Sequence, residues 1–173
     1  MSTTPHRPPG DQARITVSVA VPPDVAFDIF TNDIDRWWKR GPAYRHAGRR
    51  EGIIRLEAGV GGRIFESIEW DGAERVFEVG RVQVWEPPSR LVFTWRNSTF
   101  TANQSTEVEV VFVPGAKGTL VTVTHRGWST LPADHPARHG MPAAAFIRSV
   151  GLWWGELLTS LRRQAESRGS LAP

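Results

Sequence analysis

The sequence contains no cysteine. It therefore holds no disulfide, no thiolate metal site and no cysteine nucleophile. No apolar run approaches the roughly 18 residues that a membrane span needs. The opening MSTTPHRPPGDQ lacks a basic start followed by an apolar stretch, so it is not a signal peptide, and a soluble cytoplasmic protein is expected. Excess charge of one sign is also scarce. Twenty-one Lys and Arg against 18 Asp and Glu leave +3, spread along the chain. Nucleic-acid binding usually needs a clustered basic patch, and none is present.

Several catalytic signatures are missing too. No Gly-x-Ser-x-Gly elbow occurs. The Gly59–Gly62 turn is followed by neither Lys-Ser/Thr nor a helix, so it is no phosphate loop. His135 and His139 are spaced i, i+4, but Pro136 stands between them and no His-Glu-x-x-His pattern exists. No metal or other cofactor is assigned. Asn97-Ser98-Thr99 and Asn103-Gln104-Ser105 match the glycosylation pattern and, without a secretory signal, read as chance.

What is present is a core. Forty per cent of the 173 residues are hydrophobic and eight are tryptophan, enough for one domain. The expected organisation is a disordered tail over 1–12, a single domain over 13–168 and a short tail over 169–173. The dominant element is a long helix over Met141–Ser167. At about 100° per residue, Val150, Trp153, Leu157 and Leu161 fall within about 60° of Phe146, and Ile147, Trp154 and Leu158 widen the stripe. Arg148, Glu156, Arg162, Arg163 and Glu166 take the other side. Pro142 suits the first turn and Gly169 the stop. Leu152 falls on the polar side, where a homodimer contact could form.

Most of the rest alternates as strands do. The spacing predicts strands over 14–21, 52–58, 63–70, 75–85, 90–96, 105–113 and 119–126, with Gly80 at a bulge where the alternation changes phase. Pro22-Pro23-Asp24 ends the first strand. Two short helices follow, 25–31 and 33–40. Strands 2–7 are joined by short turns and so pair antiparallel. The sheet's apolar face must be covered, and only the final helix is large enough. The expected fold is α+β: a seven-stranded, curved antiparallel sheet gripping a long C-terminal helix, with two short helices between strands 1 and 2.

Particular stretches carry a family resemblance. VPPDVAFDIFTNDIDRWW at 21–38, VGGRIFE at 60–66, GRVQVWEPPSRLVFTW at 80–95, STEVEVVFVPGAKGTLVTVTHRGW at 105–128 and GLWWGELLTSL at 151–161 occur in family order. Together they resemble the group related to the C-terminal domain of the activator of the ninety-kilodalton heat-shock protein ATPase. That group lies within the superfamily of the major birch pollen allergen and the steroidogenic lipid-transfer domains. The resemblance spans roughly residues 14–166. It implies a helix-grip fold with a cavity between sheet and helix. The superfamily hosts lipid carriers, polyketide cyclases, hormone receptors and co-chaperones, so fold alone does not fix function.

Residues expected to face that cavity are Trp37, Trp38, Ile64, Phe93, Trp95, Val110, Phe112, Val123, Phe146, Val150, Trp153, Trp154 and Leu157. Any of them could equally be plain core. Trp37 and Trp38 read either as a lid at the cavity mouth or as anchors for their helix. Two polar residues interrupt the apolar faces. Glu66 alternates with Ile64 and Ile68, although Phe65 competes for the inward position, and His125 alternates with Val121 and Val123. Together they could hold a polar ligand head or act as acid and base; the alternative is a structural Glu–His or Glu–Arg pair near the sheet rim. Three functions follow in order. The first is a non-enzymatic binder of a small apolar or amphipathic molecule. The second is a cyclase- or hydrolase-like enzyme using Glu66 and His125. The third is a chaperone-associated protein, ranked last because the eukaryotic activators' separate N-terminal domain has no counterpart in this sequence.

Overall fold

The computed structural model describes residues 10–170. Seven strands form one antiparallel sheet: β1 (Ala13–Val19), β2 (Gly52–Leu56), β3 (Arg63–Trp70), β4 (Ala73–Glu86), β5 (Arg90–Trp95), β6 (Thr106–Gly115) and β7 (Gly118–Arg126). Their order is β1-β7-β6-β5-β4-β3-β2. Strands 2–7 are a meander, as short turns dictate, and β1 closes against β7 with Ile15 opposite Val123. Two helices, α1 (Pro23–Asn32) and α2 (Ile34–Trp37), separate β1 from β2. After β7 come two 3-10 turns, Trp128–Thr130 and Pro136–Arg138, and then α3, Ala143–Ser170. Among the described residues no helix is long and apolar enough to cross a membrane. The architecture is the α+β helix grip.

The apolar stripe of α3 does what its spacing requires. Phe146, Val150, Trp154, Leu157, Leu158 and Leu161 are buried, Ile147 and Trp153 half-buried, and Leu152 is 68% exposed. Full burial of each large apolar side chain stabilises by roughly 1.5–3 kcal/mol, so this face is a large contributor to the core. The helix lies along β1 and against α1 and α2. The Ser160 hydroxyl donates to the Trp37 carbonyl (2.6 Å), fixing α2 to it.

Several boundaries differ from the sequence expectation. The helix starts at Ala143, with Pro142 accepting the first bond from Phe146 N–H (2.9 Å), and it runs through Gly169 to Ser170. Gly169 does not stop the helix, and Arg168 beside it pairs with Asp28 (2.6 Å) and Asp33 (3.2 Å) of the α1 region. The second short helix is one turn, not eight residues, because Trp38 turns extended (ψ 115°) to begin the next loop. The first helix has no side-chain cap; Pro23 opens it and Asp24 lies in its first turn.

The expected bulge is present. Ile64 pairs with Gly80 but Phe65 with Glu78, leaving Val79 extra. Gly80 is required there, because a Cβ would lie 1.6 Å from the Thr94 carbonyl oxygen. Of the expected tails, residues 1–9 and 171–173 lie outside the described residues. Residues 10–12 belong to the packed body. Asp11 is buried; its carbonyl accepts from Trp128 N–H (3.2 Å), and its carboxylate accepts from the Ser129 hydroxyl (2.5 Å).

Candidate functional site

His125 is 1% exposed and faces the helix from β7. The Trp154 indole N–H, which can only donate, reaches His125 Nδ1 at 3.0 Å. Nδ1 is therefore unprotonated, and Nε2–H donates to Thr106 Oγ1 at 2.7 Å. The Thr106 hydroxyl in turn donates to the Trp95 carbonyl (3.1 Å). Helix, β7, β6 and β5 are thus linked through one neutral ring with both nitrogens in use. Burial, with no carboxylate to offset it, pushes the His125 pKa down to about 3.

Glu66 also faces inward, 2% exposed, and Phe65 takes the outer side. It does not meet His125. β4, β5 and β6 lie between their strands, which at 4.7–4.9 Å per step is about 19 Å along the sheet. The Glu66 carboxylate instead accepts the backbone N–H groups of His46 (2.8 Å) and Ala47 (3.3 Å). Burial raises its pKa, and those two bonds work against the rise. The acid–base pair expected from the sequence is therefore not assembled. Each residue is a separate structural anchor.

The loop that Glu66 holds, residues 38–51, has a second anchor that carries no signal in its local sequence. The Arg45 guanidinium is buried. It donates to Asp35 Oδ1 (2.6 Å) and to the carbonyls of Lys39 (3.2 Å), Asp35 (3.0 Å), Trp38 (2.5 Å) and Gly52 (3.4 Å). Asp35 Oδ1 also accepts Ile54 N–H (3.0 Å). Burial alone would raise the Asp35 pKa; the Ile54 bond and Arg45 together hold it below the usual carboxylate value. Trp38 adds Nε1–H to the Tyr44 carbonyl (3.0 Å), and Trp37 donates to the Phe30 carbonyl (3.1 Å). Both indoles are buried. They anchor their segment and form no lid.

The expected cavity wall does converge beneath the helix, but the space is filled. Trp37, Ile64, Phe93, Val110, Phe112, Val123, Trp154 and Leu157 are each 0–2% exposed. A void large enough for one water would leave accessible surface on its walls. The rings touch in an unbroken series. It runs from Phe27 through Phe112, Phe30, Trp37 and Trp38 to Trp153 and Trp154, and on through Trp95 and Trp128 to Phe146. At one end it meets solvent. Trp95 and Trp153 are half-buried there, ring centroids 6.0 Å apart, and Tyr44 stacks on Trp153 at 6.0 Å and 18°. Trp153 Nε1–H donates to the Ala43 carbonyl (2.7 Å), closing the loop onto the helix. Two open grooves lie elsewhere. One, of about 1460 Å³, is lined by residues that include Arg49, Arg50 and Glu69; the other, of about 660 Å³, lies between β1 and α3 beside Leu152.

His135 is buried with both ring nitrogens in use. Nδ1 accepts Ala137 N–H (3.1 Å) and Nε2 pairs with Gln104 Oε1 (3.0 Å). His139 is exposed, and no group of three potential ligands that could hold a metal occurs among the described residues.

The sequence matches the family Activator of Hsp90 ATPase homolog 1-like protein over residues 20–163. The chain belongs to this family. The fold agrees with solved relatives of low identity. SA2116 of Staphylococcus aureus, of unknown function, is 13% identical with TM-score 0.65, over 92% of this chain and 95% of that one. An AHSA1-like protein from Aeromonas hydrophila is 20% identical with TM-score 0.58, over 91% and 94%. DynU16, a protein in the dynemicin biosynthetic locus, is 20% identical with TM-score 0.59, over 90% of this chain and 47% of that one. No curated protein matches. The AHSA1-like family uses the helix grip as a ligand-binding scaffold, and in this member the grip is closed by its own aromatic side chains.

Proposed function

We propose that this AHSA1-like protein is a non-enzymatic binder of a small amphipathic molecule that enters by parting the aromatic mouth. One observation carries the reading. Tyr44, Trp95 and Trp153 come from three separate elements, remain half-buried, and are closed over the core by ring contacts, with the Trp153–Ala43 hydrogen bond joining loop to helix. Large flat rings of this kind give apolar contact at low conformational cost, and a polar tip at the water boundary suits an amphipathic guest. The rigid sheet behind them carries the anchors, so the rings can separate without unfolding the grip. His125 and Glu66 line the interior without a shared proton path, which favours binding over acid–base catalysis.

The test is intrinsic tryptophan fluorescence and native mass spectrometry with medium-chain alcohols and acids, taking decanol and decanoate as probes. One-to-one binding with a change in Trp emission is expected. Trp153→Ala should alter affinity at least fivefold. Failure of both probes to bind at their solubility limits refutes the reading. The family match favours a second reading, contact with a heat-shock ATPase of the ninety-kilodalton class. An ATPase rate unchanged by excess protein counts against it.

A further inference from the structure

Two buried N–H groups in the roof of the grip have no acceptor. Trp128 is 3% exposed and Arg138 is 7% exposed, yet Trp128 Nε1 and Arg138 Nε make no hydrogen bond. They are neighbours. Arg138 Nη2–H donates to the Trp128 carbonyl at 2.7 Å. The Trp128 ring packs on Phe146 at 4.9 Å and 78°, and the Arg138 guanidinium lies 5.8 Å from the same ring. Phe146 sits in the first turn of α3, the end at which the helix dipole favours negative charge.

The surrounding polar groups offer no hidden partner. His125 has both nitrogens occupied, and so has His135. The Asp11 carboxylate is turned to Ser129. Arg138 forms no ion pair among the described residues. A buried guanidinium is normally matched by an anion, and a buried indole N–H normally finds an acceptor. Elsewhere this protein obeys both rules: buried Arg45 has Asp35, and the Trp37, Trp38 and Trp154 indoles all donate. The exceptions fall together, beside the mouth. Trp95, one of the three mouth rings, touches Trp128 at 5.9 Å.

We propose that Trp128 and Arg138 form a subsite for the carboxylate of an amphipathic acid whose apolar tail lies at Tyr44, Trp95 and Trp153. This rests on the ligand reading given above. A carboxylate offers two in-plane acceptor oxygens and one negative charge, matching one indole N–H, one guanidinium N–H and one positive charge. An alcohol would leave the cation unpaired. A phosphate would bring more charge and more oxygens into a site otherwise walled by Phe100, Phe146, Trp95 and the neutral His125 ring.

The experiment compares decanoate with decanol by calorimetry at pH 7.5, on the full chain, for the native sequence and for Arg138→Met and Trp128→Phe. Decanoate is expected to bind at least tenfold more tightly than decanol. Each substitution should cut that preference to threefold or less while leaving the decanol affinity within twofold. Thermal melts identify a variant that fails to fold, in which case the other decides. A second readout is the Trp128 indole cross-peak in a ¹H–¹⁵N spectrum, assigned by its loss in Trp128→Phe. It should move downfield with decanoate and stay in place with decanol. Equal affinity for the two probes, or a preference that survives both substitutions, overturns the subsite and leaves the ligand reading standing. Binding of neither probe overturns that reading and the subsite with it.

Discussion

Lowering the pH from 7.5 to 5 should destabilise this protein through His125. In the folded state Nδ1 accepts from Trp154, so a proton there would set two donors against each other inside a core with no counter-charge. Burial holds the pKa at about 3, against 6.5 for a free histidine. The folded value is the depressed one. The contribution is therefore complete above pH 6.5, falls with pH below it, and is gone by about pH 3. Linkage gives about 1.4 kcal/mol per pH unit inside that window. The loss is about 2 kcal/mol between pH 7.5 and 5, and about 5 kcal/mol at full protonation. Against a usual total of roughly 5–15 kcal/mol this is large.

The assay is urea unfolding followed by tryptophan fluorescence at half-unit steps from pH 7.5 to 5, for the native sequence and His125→Asn. The Asn Oδ1 replaces Nδ1 as acceptor for Trp154 and cannot titrate. The variant should cost about 1–3 kcal/mol at pH 7.5, from a small cavity and the lost Thr106 bond. Its curve should then be shallower by about 2 kcal/mol over the same range. His46, whose pKa is lowered to about 4 by burial and by Arg96, contributes with the same sign in both proteins. Glu66, with its raised pKa, contributes with the opposite sign in both, since the folded state takes up its proton more readily. Both cancel in the difference. Parallel curves, or an NMR titration of His125 near pH 6.5, would refute the neutral Trp154–His125–Thr106 link.

Two other substitutions probe the framework. Arg45→Met removes five donated bonds and leaves Asp35 without its buried counter-charge; a loss of about 3–5 kcal/mol is expected, with faster amide exchange confined to residues 41–51. Unchanged stability would mean that the knot is not formed in solution. Gly80→Ala forces a Cβ onto the Thr94 carbonyl and should cost about 3 kcal/mol or more in urea midpoint analysis. A neutral result would place the bulge elsewhere.

Much of this fold could be read from the residues. Alternation located β3 to the residue and turned Glu66 inward, because Ile64 and Ile68 share its face. The stripe from Phe146 to Leu161 placed α3. Short turns gave the meander. The failures have physical reasons in common. Glu66 and His125 each looked like half of a pair, but pairing depends on strand order, and three intervening strands carry no trace in either residue's neighbourhood. Arg45 lies in the polar run RHAGRRE, which reads as solvated loop. Its burial depends on carbonyls from Asp35, Trp38, Lys39 and Gly52 converging after the chain has turned. Trp128 and Arg138 lie in a segment without periodicity, where no alternation or stripe signals which side chains turn inward.

The same contrast separates structural polar groups from functional ones in this core. A fold selected only for stability would exchange His125 and Glu66 for apolar residues, since buried polar groups at best break even. They are tolerable because each polar atom is bonded: His125 takes one bond and gives one, and each Glu66 oxygen receives one. Such groups fix register and hold a loop. Trp128 Nε1 and Arg138 Nε are different in kind. They carry the cost of burial without the compensating bond, next to the half-buried Trp95 ring. Satisfaction of hydrogen bonding, more than burial or polarity, therefore separates the finished part of this grip from the Trp128–Arg138 corner, where two buried donors are left over.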